Sequence, residues 1–113
     1  MKKNLITFIA TFFLVTGFAF AQKEKEVKIK TSAICEMCKE RIERNLGLSK
    51  GVTASILDLD KNVVTVKYNP KRTNEEAIKQ TIVKTGYDAN DLVADEKSHD
   101  KLPACCQKTA EKH

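Results

Sequence analysis

The sequence has no tryptophan, and none of its five phenylalanines lies beyond residue 20. Phe8, Phe12, Phe13, Phe18 and Phe20 share one apolar stretch, so anything folded downstream must build its core from aliphatic side chains and two tyrosines. Without stacking aromatics or an Arg-rich block, the chain carries no signature for binding nucleic acid. Its four glycines are scattered, which leaves no Gly-rich loop to cradle a phosphate. Histidine is absent before His99, and the acids of the body show no compelling pairing, so a non-enzymatic role is expected. At 113 residues there is room for one small domain, and not for a two-domain oxidoreductase, a nucleotide-hydrolysing core or a barrel enzyme.

What is present falls into three parts. Lys2-Lys3, the 16-residue apolar run Leu5 to Phe20 and the ending Ala19-Phe20-Ala21 follow the order of a secretory signal peptide. The run is short against the ~20 residues that span a bilayer, which favours cleavage over a retained anchor. Residues 1–21 are therefore expected to be a signal peptide, giving a secreted or periplasmic protein that starts at Gln22. No later segment is long and apolar enough to span a membrane. The leader carries two Lys and no acid, so the net charge of +5 becomes +3 after cleavage. That mild excess suits docking to an acidic protein partner.

Residues 22–94 read as the folded domain. Val27, Ile29, Thr31 and Ala33 alternate with Lys28, Lys30 and Ser32, the period of a half-buried strand. From Cys35 the period changes. Cys38, Ile42 and Leu46 recur every four residues among Lys39, Glu40, Arg41, Glu43 and Arg44, which predicts an amphipathic helix stopped by Gly47. Strands are expected over Val52–Leu59 and Val63–Tyr68, joined by Asp60-Lys61-Asn62. Thr73-Asn74-Glu75-Glu76 has capping-box spacing, with Thr73 as the cap of a second helix that Gly86 ends. A short strand from Tyr87 or Asp88 to Ala94 completes the order βαββαβ. The expected fold is α+β, a ferredoxin-like sandwich with a four-stranded antiparallel sheet and two helices on one face. Residues 95–113 show no sustained period and read as a tail of low intrinsic order that carries Cys105-Cys106 and both histidines.

Cys35-Glu36-Met37-Cys38 sits where the first strand gives way to the first helix. Two residues between thiols let both sulfurs turn toward one point, and soft thiolates select Cu(I), Zn(II) and, by the same logic, Hg(II). Backbone N–H groups at a helix N-terminus favour the thiolate form. A structural disulfide, a redox pair and inert packing are the competing interpretations. A two-residue loop constrains the unfolded chain little, the thioredoxin order and a flanking Trp or Pro are missing, and Glu36 between the thiols disfavours packing.

On these residues the chain resembles the heavy-metal-associated domain family, which includes copper chaperones, metal-binding domains of copper ATPases and the periplasmic mercury-binding protein. The resemblance covers about Val27 to Ala94 and rests on Cys35-x-x-Cys38 after a strand, the βαββαβ order, Asn69-Pro70 and Gly86-Tyr87-Asp88. It implies that Cys35 and Cys38 are the metal ligands and that Tyr87 lies in the loop beside the metal. It further implies a Cu(I) carrier that hands its ion to a transporter domain or another acceptor, with Hg(II) and Zn(II) as alternative cargo. A thiol-disulfide exchange protein is the runner-up from another class. Ser32-Ala33-Ile34-Cys35 departs from the family's Gly-Met-Thr-Cys, so Ala33 replaces a Met that packs beneath the loop. Met37 is expected to fill part of that space.

The tail can reach the loop. Eleven residues beyond Ala94 bring the chain to Cys105, and extended chain covers ~36 Å against the ~20 Å of a six-residue strand. One or both of Cys105 and Cys106 are expected to complete a three- or four-sulfur site with Cys35 and Cys38, or to hold a second ion; the alternative is an exposed, mobile pair that oxidises within itself or to another molecule. His99 and His113 are weaker candidates for nitrogen ligation.

Overall fold

The computed structural model describes residues 23–107. The leader, the cut before Gln22 and His113 lie outside the described residues. Strand β1 (Lys25–Lys30) is followed by helix α1 (Glu36–Gly47), strands β2 (Val52–Asp58) and β3 (Val63–Tyr68), and helix α2 (Glu75–Thr85). A short helix α3 (Glu96–Asp100) and a single 3₁₀ turn (Ala104–Cys106) come last. The sheet order is β1-β3-β2, with both neighbours antiparallel.

Alternation in the strands puts their apolar residues on one side. Ile29 pairs across to Val64, and Val64 to Leu57, so the three stack in a row at the sheet centre. All three are buried together with Val66, with Ile42 and Leu46 of α1 and with Ile78 and Ile82 of α2. Both helices thus feed one core on one face of the sheet. At ~1.5–3 kcal/mol for each fully buried aliphatic side chain, this small set carries most of the apolar stabilisation.

Helix ends follow the side chains available. Asn74, rather than the expected Thr73, caps α2, with Oδ1 accepting from Ala77 N at 2.8 Å. The Asn74 carboxamide lies one residue nearer the free donors of the first turn, which places the cap one residue later than the capping-box spacing suggests. Gly47 belongs to α1 and does not stop it; the right-handed cap is Leu48, and Ser49 Oγ closes the end by donating to Asn45 O at 2.9 Å. Gly86 does end α2, at φ 114°, where an L side chain is strained. A Cβ there would also lie 3.0 Å from Ser98 O and 3.1 Å from Leu102 Cδ1. That glycine is required twice, once for its turn and once for the segment packed on it.

Two larger expectations are corrected. The described residues form three strands, and Tyr87–Ala94 does not make a fourth. Asn90 adopts φ 54° and turns the chain back, leaving only isolated bridges from Ala89 to Thr31 and to Leu92. The Asn90 side chain and backbone instead pin the end of β1, Oδ1 accepting from Lys30 N and N donating to Lys30 O, both at 2.9 Å. Asp88 Oδ1 accepts from Ala94 N across the turn at 2.8 Å.

Residues 95–107, expected to have low intrinsic order, are instead ordered against the body. Asp95 caps α3 and its backbone N donates to Val83 O at 3.1 Å. Leu102, 7% exposed, joins the core, and Gln107 Nε2 donates to Leu102 O at 3.2 Å. No helix among the described residues is long and apolar enough to cross a membrane.

Candidate metal centre

The loop after β1 is held by one local bond and two from distant segments. Thr31 N donates to Asn62 O at 2.8 Å, Ala33 N to Thr31 Oγ1 at 3.3 Å, and Asp88 N to Ser32 Oγ at 2.9 Å. These fix the chain so that Cys35, in extended conformation, caps α1 and Cys38 lies one turn inside it. Ala33 is fully buried, while Met37 is 49% exposed and does not fill the space beneath the loop. A residue between two inward-facing cysteines at a helix start must face outward, which is why Met37 is found there.

Three thiols meet at this point. Cys35 Sγ lies 3.3 Å from Cys38 Sγ and 3.7 Å from Cys106 Sγ, and all three sulfurs fall within 4.8 Å of one another. All four cysteines are unbonded. Cys38 and Cys106 are fully buried and Cys35 is 6% exposed. A metal–sulfur bond of ~2.3 Å places the corners of a trigonal sulfur site ~4.0 Å apart and the ends of a linear one ~4.6 Å apart. The two sulfur–sulfur distances from Cys35 lie nearer the trigonal spacing. Cys105 stays out of this group: half-buried, it holds its Sγ 3.9 Å from that of Cys106. His99 is not in the cluster either, and its Nδ1 lies 3.6 Å from Asp100 Oδ1.

Arg41 and Tyr87 close the site. Arg41 Nη1 donates to Tyr87 Oη at 3.0 Å and to Cys106 Sγ at 3.5 Å. By sequence period alone Arg41 falls on the polar face of α1. The available signal was its position three residues after Cys38, on the same side of the helix. Tyr87 is fully buried beside the loop.

The electrostatics divide the thiols. Burial pushes Cys35 up to about 11, against a lowering contribution from the Cys38 backbone N–H. The helix N-terminus thus acts on Cys35, but burial outweighs it. For Cys38 burial also opposes ionisation, yet hydrogen bonds from Tyr87, the Ile34 backbone and the other two thiols carry its pKa below the ordinary thiol value. Burial raises Cys106, with Arg41 pulling the other way. Burial, reinforced by the Cys38 contact, raises Tyr87 and keeps its phenol neutral. Of the three thiols, Cys38 is the one whose surroundings favour the thiolate.

Comparison with known proteins agrees with this architecture. Over 54 residues the chain is 41% identical to the copper chaperone CopZ of Staphylococcus haemolyticus, covering 48% of this chain and 79% of that protein. The water-soluble region of the P-type ATPase CopA from Bacillus subtilis superposes with a TM-score of 0.59 at 34% identity, over 62% of this chain and 47% of that one. Oxidised MerP from Ralstonia metallidurans shares the fold alone, at 13% identity and a TM-score of 0.57, over 60% of this chain and 96% of that one. Residues 28–88, more than half of the sequence, match the heavy-metal-associated domain, and the chain belongs to that family.

Proposed function

We propose that this protein is an exported carrier of Cu(I), held by the thiolates of Cys35, Cys38 and Cys106. The observation that carries the reading is the buried trio of sulfurs, two from the loop and one from the tail, with spacings from Cys35 closer to a trigonal site than to a linear one. Soft thiolates prefer Cu(I) over hard cations, and a site of three sulfurs leaves Zn(II) short of its usual four ligands. The copper chaperone and copper-exporting ATPase relatives support copper as cargo over mercury. Export is supported by the leader-like order of residues 1–21 and the small residues before Gln22.

Release follows from how the site is assembled. A partner thiolate bonds to the ion as the bond to Cys106 breaks, and the tail lifts with the departing sulfur. Cys35 and Cys38 are then displaced in turn. An acceptor with its own thiolate pair, such as the metal-binding domain of a transporter, meets this requirement. Because Cys106 shields the loop, exchange is slower than for a loop open to solvent.

The test is anaerobic competition of Cu(I), Hg(II) and Zn(II) for the reduced protein and for a Cys105→Ser/Cys106→Ser variant. The expected result is one Cu(I) per chain, bound more tightly than Zn(II), with affinity lost in the variant. Weak metal affinity together with a reversible Cys35–Cys38 couple that reduces a model disulfide would establish thiol-disulfide exchange instead. Mass measurement of the protein recovered from outside the cytoplasm should give a chain beginning at Gln22.

A further inference from the structure

The three-sulfur site has a charge problem. Three thiolates around a monovalent ion carry two negative charges, and here they would lie where Cys38 and Cys106 are fully buried and Cys35 nearly so. Two thiolates would carry only one. In a poorly solvated site the extra charge disfavours the third ligand unless a cation sits beside it. The structure supplies that cation next to the sulfur that must be recruited from furthest away. Arg41 Nη1 is 3.5 Å from Cys106 Sγ, and its bond to Tyr87 Oη, at 3.0 Å, fixes the guanidinium against the body. Cys106 lies 65 residues beyond Arg41 in the chain, and apart from Arg41 the loop touches it only through weak thiol contacts, Cys35 Sγ at 3.7 Å from its sulfur and Cys38 Sγ at 3.9 Å from its carbonyl.

We propose that Arg41 is the positioning residue that sets the number of sulfurs on the ion, its charge holding Cys106 as the third ligand to Cu(I). The inference rests on the three-sulfur reading above and adds a rule of cargo dependence. A divalent soft ion such as Hg(II) with three thiolates carries one negative charge, the same as Cu(I) with two. Arg41 therefore matters for Cu(I) and much less for Hg(II). A side chain that merely propped the tail in place would matter equally for both.

The experiment uses the full reduced chain loaded anaerobically with Cu(I) or Hg(II). Sulfur coordination number is read by X-ray absorption and affinity by chelator competition, for wild type, Arg41→Met, Arg41→Gln, Arg41→Lys and Tyr87→Phe. With Cu(I), wild type should show three sulfurs. Arg41→Met and Arg41→Gln should show two, with affinity falling about tenfold to a hundredfold, the worth of a charge-assisted contact. Arg41→Lys should restore the third sulfur, and Tyr87→Phe, which keeps the charge but frees the guanidinium, should retain it with a smaller loss of affinity than either neutral variant. With Hg(II), all five proteins should keep three sulfurs. Three sulfurs on Cu(I) in both neutral variants would overturn the proposal. So would equal loss of the third sulfur from Cu(I) and Hg(II), which would mark Arg41 as a prop for the tail. Two sulfurs in wild type with Cu(I) would instead overturn the three-sulfur reading itself, a separate and recognisable failure. Circular dichroism melting identifies any variant that fails to fold, and the other neutral variant then decides.

Discussion

The metal loop and the tail deliver the same atom type to the same point by opposite routes. Cys35 and Cys38 are placed by a strand end and the first turn of a helix adjacent in sequence, with one local hydrogen bond at Ala33 and two braces from Asn62 and Asp88. Cys106 is placed by tertiary packing, through Asp95 on Val83, Leu102 in the core beside Gly86, and Arg41 on its sulfur. The loop pair is carried by two elements adjacent in sequence and braced from Asn62 and Asp88, whereas the tail site depends on a docked segment with few anchors. One half of the centre is suited to holding an ion and the other to letting it go.

The comparison breaks most severely if the loop pair is removed. Cys35→Ser/Cys38→Ser should lose at least about a thousandfold in Cu(I) affinity by chelator competition, because two of the three clustered sulfurs are removed. Retained binding would move the centre to the tail. Proton competition gives the next largest effect. Metal binding needs thiolates, and burial keeps Cys35, pushed up to about 11, and Cys106, also raised, protonated at neutral pH, whereas Cys38 is lowered. Binding therefore releases protons, and apparent affinity must rise with pH until those thiols ionise. Once Cys38 has ionised, the slope should approach about a hundredfold per pH unit, two protons being released, and about tenfold in Cys106→Ser. A slope unchanged by the variant would remove Cys106 from the ligand set.

Loop and tail also differ in how far the sequence alone reveals them. The period-two run Val27, Ile29 and the period-four run Cys38, Ile42, Leu46 each encode an element locally, so β1, α1 and the loop pair are legible from residue spacing. The tail has no period because α3 is five residues long and its principal apolar anchor is the single Leu102. Its order depends on a glycine in another segment making room for it. The missing fourth strand has a similar cause. Residues Tyr87 to Ala94 contain enough apolar side chains for a strand, but the left-handed turn at Asn90 and the side-chain bond from Asp88 redirect the backbone. Arg41 reads as an ordinary solvated charge because its partners, Tyr87 and Cys106, are 46 and 65 residues away.

Smaller changes sharpen the contrast. Leu102→Ala removes the tail's apolar anchor without touching a sulfur. It should cost about 2 kcal/mol in urea unfolding, the low end for a buried leucine, and speed loss of Cu(I) to a chelator about tenfold. Faster release with unchanged global stability would also fit a locally opening tail, whereas unchanged release would show that the tail does not gate exchange. Cys105→Ser should have the least effect, under about twofold on affinity, since its sulfur contacts Cys106 and lies outside the trio. A larger loss would place Cys105 among the ligands.

The central claim is that a sulfur from the tail completes a site begun by the loop. Copper K-edge X-ray absorption of the Cu(I)-loaded chain, compared with Cys106→Ser, addresses it most directly. The account predicts three sulfurs at about 2.2–2.3 Å in wild type and two in the variant. Two sulfurs in both proteins would contradict it.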